Sequence, residues 1–272
     1  RENPPAGRTL PAMYRNNMFV RNGRYCARIK VFIRNTWDWI EVGLRKCDVD
    51  YISLNCAARK ECVPTLRCRG KVWSLDFSFI EEKELTKTDL EHRIVLGVDL
   101  GLNNACVCSA MHSDGTVIGR AFLKLLKEKD SLKQALGRIR KAQKQGARKM
   151  PRLWARAKGL NDDIAVKTAN FILETAHKFK ADVIVMERLE LNRKIRGSNK
   201  QKLHHWKARY VQRMVEDKAH RCGKRFSRVC AWNTSRLAFD GSGSVERDAK
   251  NYSLCTFKSG KRYHCDLSAS YN

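Results

Sequence analysis

The stretch Ile94-Val95-Leu96-Gly97-Val98-Asp99-Leu100-Gly101 decides how this chain is read. A short, apolar, β-branched run fits a strand buried on both faces. Its end carries a carboxylate, and an unpaired carboxylate is costly to bury. Asp99 therefore calls for a metal ion, a cation or water; a solvated strand-end acid is the plainer alternative. A second run of the same kind, Val183-Ile184-Val185-Met186-Glu187, lies downstream. Before it comes a helical pattern from about Ile164 to Lys178, with Ile164, Phe171, Ile172, Ala176 and Phe179 on one face. A crossover helix makes neighbouring strands parallel. The two acidic ends would then meet at one sheet edge, where α/β sheets place their sites.

Working outward, Ala105 to Met111 and Thr116 to Phe122 read as two more strands around the turn Ser113-Asp114-Gly115, forming a meander with the first. Phe226 to Ala231 reads as the fifth. Residues 123–158 read as basic helices, interrupted at Gly146 and Pro151, with Leu132, Ala135, Leu136, Ile139 and Ala142 as the apolar stripe. Arg138, Lys141, Lys144, Arg148, Lys149 and Arg152 surround that stripe almost unopposed. Like charges on a helix repel, so a polyanion is the expected partner, against the bland reading of a solvated face. Leu189 to His205 reads as a polar loop carrying Arg193, Lys194 and Arg196, further candidate nucleic-acid contacts. Trp206 to Arg221 reads as a helix with Trp206, Tyr210, Met214 and Ala219 inward. In the tail, Asp266 opens a helix, where the dipole alone would favour it.

The first 91 residues differ in character. Met18 to Val42 alternates as strands, with a hairpin turn at Arg21-Asn22-Gly23-Arg24. Lys71 to Ile80 alternates again and predicts Trp73 and Phe77 as core. The expectation is a small β-rich sheet or barrel, with the boundary in the charged, aperiodic segment 81–91. Basic residues beside aromatics there suit nucleic acid.

Lys plus Arg number 55 against 28 acids, a formal charge of +27 spread along the chain. Phosphate neutralisation rewards such a surface. No apolar span approaches the ~18 residues of a membrane helix. The 11 cysteines, an odd number with no C-x-x-C pair, favour reduced thiols over a disulfide framework. Together these predict a reduced, intracellular (cytoplasmic) protein that associates with nucleic acid. A start at Arg1 and a stop within a helical pattern suggest a fragment.

Three acids in a basic chain suit hard divalent cations, Mg²⁺ or Mn²⁺. They also suit phosphodiester hydrolysis with two ions about 4 Å apart. At these residues the sequence resembles a known family. Gly97-Val98-Asp99-Leu100-Gly101, Val185-Met186-Glu187-Arg188-Leu189 and His264-Cys265-Asp266-Leu267-Ser268-Ala269-Ser270-Tyr271-Asn272 resemble the three split RuvC motifs of TnpB (OrfB) proteins, transposon-encoded relatives of the type V CRISPR effectors. Trp206 and Asn233-Thr234-Ser235 are similar to the family as well. The resemblance covers roughly residues 93–272.

It implies an α/β, RNase H-like five-stranded mixed sheet with a helical insertion, preceded at 1–91 by a wedge-like domain. It implies an RNA-guided DNA endonuclease with Asp99, Glu187 and Asp266 as catalytic and metal-binding acids, and guide RNA and target DNA as partners. Guide pairing reads sequence in such systems while the protein holds the backbone. One departure stands out: the family's four-cysteine ribbon between Thr234 and the last acid falls here on Ala238, Gly241, Cys255 and Lys258. One thiolate builds no tetrahedral zinc site. The insertion 233–262 is therefore expected to hold no zinc and to be packed by Phe239, Tyr252 and Phe257. Two rivals remain: a guided binding protein that does not cut, and an actin-like ATPase or sugar kinase, whose phosphate loop also opens with Asp-x-Gly.

Overall fold

The computed structural model describes residues 12–14, 16–70, 72–189 and 206–272. The chain divides into two compact units, 1–82 and 83–272.

In the first unit the strands are β1 (Ala12–Met13), β2 (Phe19–Arg21), β3 (Cys26–Ile33), β4 (Thr36–Gly43), β5 (Lys60–Glu61), β6 (Thr65–Arg69), β7 (Val72–Asp76) and β8 (Phe79–Ile80). They form three antiparallel ladders, β1-β6-β7, β2-β3-β4 and β5-β8. No ladder among the described residues joins these into a closed barrel. The expected hairpin turn at Asn22-Gly23 joins β2 to β3, with Gly23 at φ 117°, and a second, tighter turn lies at Arg34-Asn35, between β3 and β4. Both residues there sit at positive φ, 50° and 64°, the backbone a twisted two-residue hairpin needs. Helix α1 (Lys46–Asn55) went unread because it has almost no apolar stripe; among its residues only Val49 is buried.

Trp73 corrects the expectation: it is 61% exposed, as is its neighbour Val72 at 68%. Period-two alternation says which residues share a face, not which face is covered. Phe77 is half-buried and packs edge-on against Phe19 at 5.7 Å.

In the second unit one sheet runs in the order β11-β10-β9-β12-β13. Its strands are β9 (Ile94–Asp99), β10 (Cys106–His112), β11 (Val117–Leu123), β12 (Val183–Arg188) and β13 (Arg225–Cys230). The meander β9-β10-β11 is antiparallel, while β12 lies parallel to both β9 and β13. The mixed five-stranded sheet expected from the sequence is therefore present.

Helix α2 (Leu126–Lys144) and helix α3 (Pro151–Lys178) follow β11. Proline at the first turn of α3 costs nothing, because that N–H has no helical partner. The expected separate helix from Ile164 is instead the second half of α3, which runs unbroken through Gly159. One glycine costs a helix only about 1 kcal/mol, and packing of Ala157, Leu153 and Leu160 against Ala135 and Ile139 of α2 offsets it.

Helix α4 (Ala208–Arg221) follows. Its inward residues are Val211, Gln212, Val215 and Ala219, whereas Tyr210, expected inward, is 44% exposed. The main core sets Leu96, Val98, Ile184 and Met186 of the sheet against Ala165, Ala169, Ile172 and Ala176 of α3 and Val211 and Val215 of α4.

Three short strands, β14 (Glu246–Arg247), β15 (Leu254–Thr256) and β16 (Arg262–His264), form the insertion before helix α5 (Cys265–Tyr271). Phe239 is the hub of its packing, with ring centroids 5.5 Å from Phe257, 5.0 Å from Tyr263 and 4.9 Å from Tyr271. Tyr252, expected in this cluster, is 68% exposed. No helix among the described residues is long and apolar enough to cross a membrane.

Candidate active site

Strand register brings the first two acids together. Val98 of β9 is paired with Met186 of β12, so Asp99 and Glu187 are the next residues on adjacent parallel strands. Neighbouring strands lie about 4.8 Å apart. Leu96, Val98, Ile184 and Met186 point to the main core. Side chains alternate along a strand, so Gly97, Asp99 and Glu187 point to the opposite face.

That face is covered by α5, which packs on β9 and β10. The contact is close at Gly97, where a Cβ would overlap the Ser270 carbonyl oxygen. Ser109, opposite Gly97 on β10, hydrogen-bonds to the Ser270 hydroxyl. Asp266 precedes Ser270 by one helical turn, about 6 Å of rise. Asp99 follows Gly97 by two strand residues, about 6.6 Å. The two steps match, and the third acid comes to the level of the first. A Cβ on Gly101 would sit 3.9 Å from Asp266 Oδ2.

Each outer acid is tethered. The Thr234 hydroxyl donates to Glu187 Oε1, and the Gln212 amide donates to the Glu187 carbonyl oxygen. Asn104 Nδ2 donates to Asp266 Oδ2 at 2.8 Å. Asn272 donates to the carbonyl oxygens of Thr234 and Leu237, at 2.8 and 2.9 Å, and so fixes the loop that carries Thr234. Of these, Thr234 and Asn272 lie in stretches that stand out in the sequence. Asn104 and Gln212 carry no local signal, because each meets its partner through the fold alone.

Among the described residues Asp99 has no such tether. Burial pushes its pKa from 3.8 up to about 8, the charges of Glu187 and Asp266 push the same way, and Arg247 of β14 opposes them. Crowded negative charge of this kind, which Arg247 only partly offsets, is what a divalent cation would relieve. The three carboxylates supply the oxygen donors Mg²⁺ or Mn²⁺ prefer. Among the described residues, no group of three or more His, Cys, Asp or Glu side chains stands close enough together to hold a metal ion. The donor chemistry fits a cation, and the acids stand as mutually repelling neighbours.

The other expected site residues lie elsewhere. Arg138, Lys141 and Lys144 are exposed on the C-terminal half of α2, Arg148 and Lys149 on the following loop, and Arg152 at the start of α3. Among the described residues none of these six pairs with a carboxylate. Arg193, Lys194 and Arg196 lie outside the described residues. Of the ribbon positions, Ala238 and Cys255 are buried in the small core of the insertion beside Phe257 and Cys265.

No protein-family model matches the chain. It is 28% identical over 233 residues to a TnpB-like protein of Aquifex aeolicus (strain VF5), covering 75% of this chain and 74% of that one. The fold is similar to that of Cas12f1 in its complex with sgRNA and target DNA. The TM-score is 0.54 at 16% identity, over 96% of this chain and 69% of that one. A mini RNA-guided endonuclease, CRISPR-Cas_phi3, gives 0.52 at 12% identity over 91% of this chain and 56% of that one. AacC2c1, in a binary complex with sgRNA, gives 0.52 at 9% identity over 94% and 49%.

Proposed function

We propose, on the premise that this chain is a relative of the TnpB-like proteins, that it is an RNA-guided endonuclease cutting DNA at Asp99, Glu187 and Asp266. The observation that carries this reading is the register Val98–Met186. It sets two acids side by side at the ends of parallel strands, beneath a helix bearing the third. The sheet order and its mixed directions suit the RNase H-like plan of RuvC nucleases.

Asp99 is central, between the strand partner Glu187 and the helix residue Asp266. With Glu187 and Asp266 it would hold Mg²⁺ or Mn²⁺, whose preferred donors are carboxylate oxygens. Bound there, the ions supply a water nucleophile at neutral pH and charge neutralisation at the leaving oxygen. The chain's own residues do the rest. Thr234 and Asn104 each occupy one carboxylate oxygen and leave the other free to face the strand. Gly97 lets α5 sit close enough to bring Asp266 to Asp99. Arg247 offers a cation beside the acids, where a backbone phosphate would come.

The exposed cations of α2, the loop and α3 would grip guide RNA or the heteroduplex through phosphates, which gives affinity without reading sequence. That division of labour is what guided nucleases need. The charge of +27 also disfavours the ATPase or sugar-kinase reading, which leaves it without a purpose.

The test is co-expression with the RNA transcribed beside its gene. The RNA that copurifies is sequenced, and Mg²⁺-dependent cutting of a matched target is measured for wild type and Asp99→Ala. RNA should copurify with both, and only wild type should cut. Equal cutting by the variant would remove Asp99 from the mechanism. Bound RNA with no cutting by either would favour a guided binding protein.

A further inference from the structure

A cavity of about 570 Å³ opens beside the acids rather than on them. The segment Leu100–Asn103, which leaves β9 directly after Asp99, forms one wall. Helices α2 and α3 and the entry to α4 form the others. Gly101 is shared: it lines the cavity and also lies next to the Asp266 carboxylate. A ligand here would therefore lie next to the acid cluster.

The lining combines two kinds of chemistry. Leu132, Leu136, Ile164 and Trp206 make an apolar floor. Lys129, Lys133, Arg140 and Lys207 stand around it, and Asp130 is the only acid among the lining residues. Lys129 donates to the carbonyl oxygens of Leu102 and Asn103, at 2.9 and 2.6 Å, so its charge stays uncompensated. Burial lowers the pKa of both Lys129 and Lys207, which are held partly out of water. Asp162 takes one donor of Lys207.

An apolar lining with several cations among it suits a flat, largely apolar body that ends in an anion. A simple anion would need no such floor, and an apolar helix would gain nothing from the cations. The volume lies within the ~300–1,000 Å³ typical of small-ligand sites. A nucleotide has both parts, and enzymes working on nucleic acid draw unstacked bases into pockets of this kind.

We infer that this cavity receives one unstacked nucleotide of the strand lying across the acid cluster, with its base against Leu136 and Trp206 and its phosphate toward Lys133. The inference rests on the nuclease reading for the strand's position. Base recognition comes from stacking and apolar contact, so it is tolerant of sequence. Guide pairing can then choose the target while the cavity holds the strand in place. The nucleotide beside the scissile phosphate is taken out of the stack, which exposes that phosphate to the acids.

Binding of dAMP to the full chain, followed by saturation-transfer NMR in metal-free buffer, tests this without any cutting. Deoxyadenosine and deoxyribose 5-phosphate separate the base and phosphate contributions. Wild type should bind dAMP better than either fragment. Leu136→Trp, which fills the floor, and Lys133→Glu, which reverses one rim charge, should each weaken dAMP on the order of tenfold. Both variants are checked by circular dichroism and melting temperature. If Leu136→Trp fails to fold, the exposed Lys133→Glu decides alone.

Wild-type affinity in a folded variant would overturn the assignment. So would deoxyribose 5-phosphate binding as well as dAMP, or no dAMP binding by wild type at millimolar concentration. The two proposals fail separately. Guided cleavage without dAMP binding removes the cavity's role and leaves the nuclease. dAMP binding without Mg²⁺-dependent cleavage removes the nuclease and leaves a nucleotide site.

Discussion

Gly97→Ala is the most direct probe of the acid cluster, because it touches no acid. Gly97 is paired with Ser109 on β10, and Ser270 of α5 lies over that pair. A Cβ there would overlap the Ser270 carbonyl oxygen, and its other near contacts are the Ser270 carbonyl carbon at 3.3 Å and Met111 Cε at 3.7 Å. The obstructing atom is helix backbone, so no rotamer change relieves the overlap. Restoring an ordinary contact requires α5 to move on the order of 1 Å away from the sheet.

Overpacking of this kind costs about 1–3 kcal/mol. For a unit of this size that lowers the melting temperature by roughly 2–10 °C. The displacement carries Asp266 away from Asp99, and a 1 Å misplacement at a reacting centre costs about 100-fold in rate. The assay is guided cleavage of a matched DNA, with melting temperature measured on the same sample and assays run well below it. Activity should fall by about two orders of magnitude while the chain stays folded. Ser270→Ala should not rescue it, since the obstruction is main chain. Wild-type activity in Gly97→Ala would refute the packing of α5 on β9, and with it the position of Asp266.

Three further outcomes follow from the same geometry. Asp99→Asn should stabilise the metal-free chain increasingly as pH rises. The folded-state pKa of Asp99 is raised, so its neutral form supports the fold below about pH 4, and that support is lost as pH climbs toward about 8. The full shift corresponds to a ceiling of about 6 kcal/mol. Asp99 is only half-buried by accessible surface, so the expected gain at about pH 8 is nearer 1–3 kcal/mol. Thermal melts from pH 5 to 8 read this out, and a difference independent of pH would contradict it; Mg²⁺ should raise the melting temperature of wild type and not of Asp99→Asn.

Thr234→Val and Asn104→Leu each free one carboxylate from its hydrogen bond, and cleavage should drop about 10- to 100-fold, with less loss at high Mg²⁺ concentration; an unchanged Mg²⁺ dependence would deny them a positioning role. Replacing Lys141, Lys144, Arg148 and Lys149 by Gln should lower the slope of log affinity against log salt for nucleic acid by about three. An unaltered slope would move the polyanion contact to another surface.

Much of this protein is legible in local sequence. The runs 94–99 and 183–187 announce strands because β-branched apolar residues in short blocks have few other uses, and a carboxylate at the end of each marks an edge worth examining. Helices α2, α3 and α4 follow from apolar spacing, and an unopposed run of cations predicts a polyanion. These properties are set by residues within a few positions of one another. Trp73 and Tyr210 depart from their pattern because local pattern assigns a face and not a neighbour, and α1 leaves no trace in the pattern because it buries almost nothing to impose a period.

Everything at the site that depends on distant residues meeting was decided by the tertiary structure. Asp266 faces Asp99 because Gly97 admits the backbone of α5. Asn104, 162 residues before Asp266, becomes its partner, and Thr234, 47 residues after Glu187, becomes its tether. The cavity beside them exists only where four separate elements leave a gap. Sequence spacing carries no information about such meetings, since loop closure is nearly indifferent to the length of chain between two contacts, and only packing selects which pairs are made.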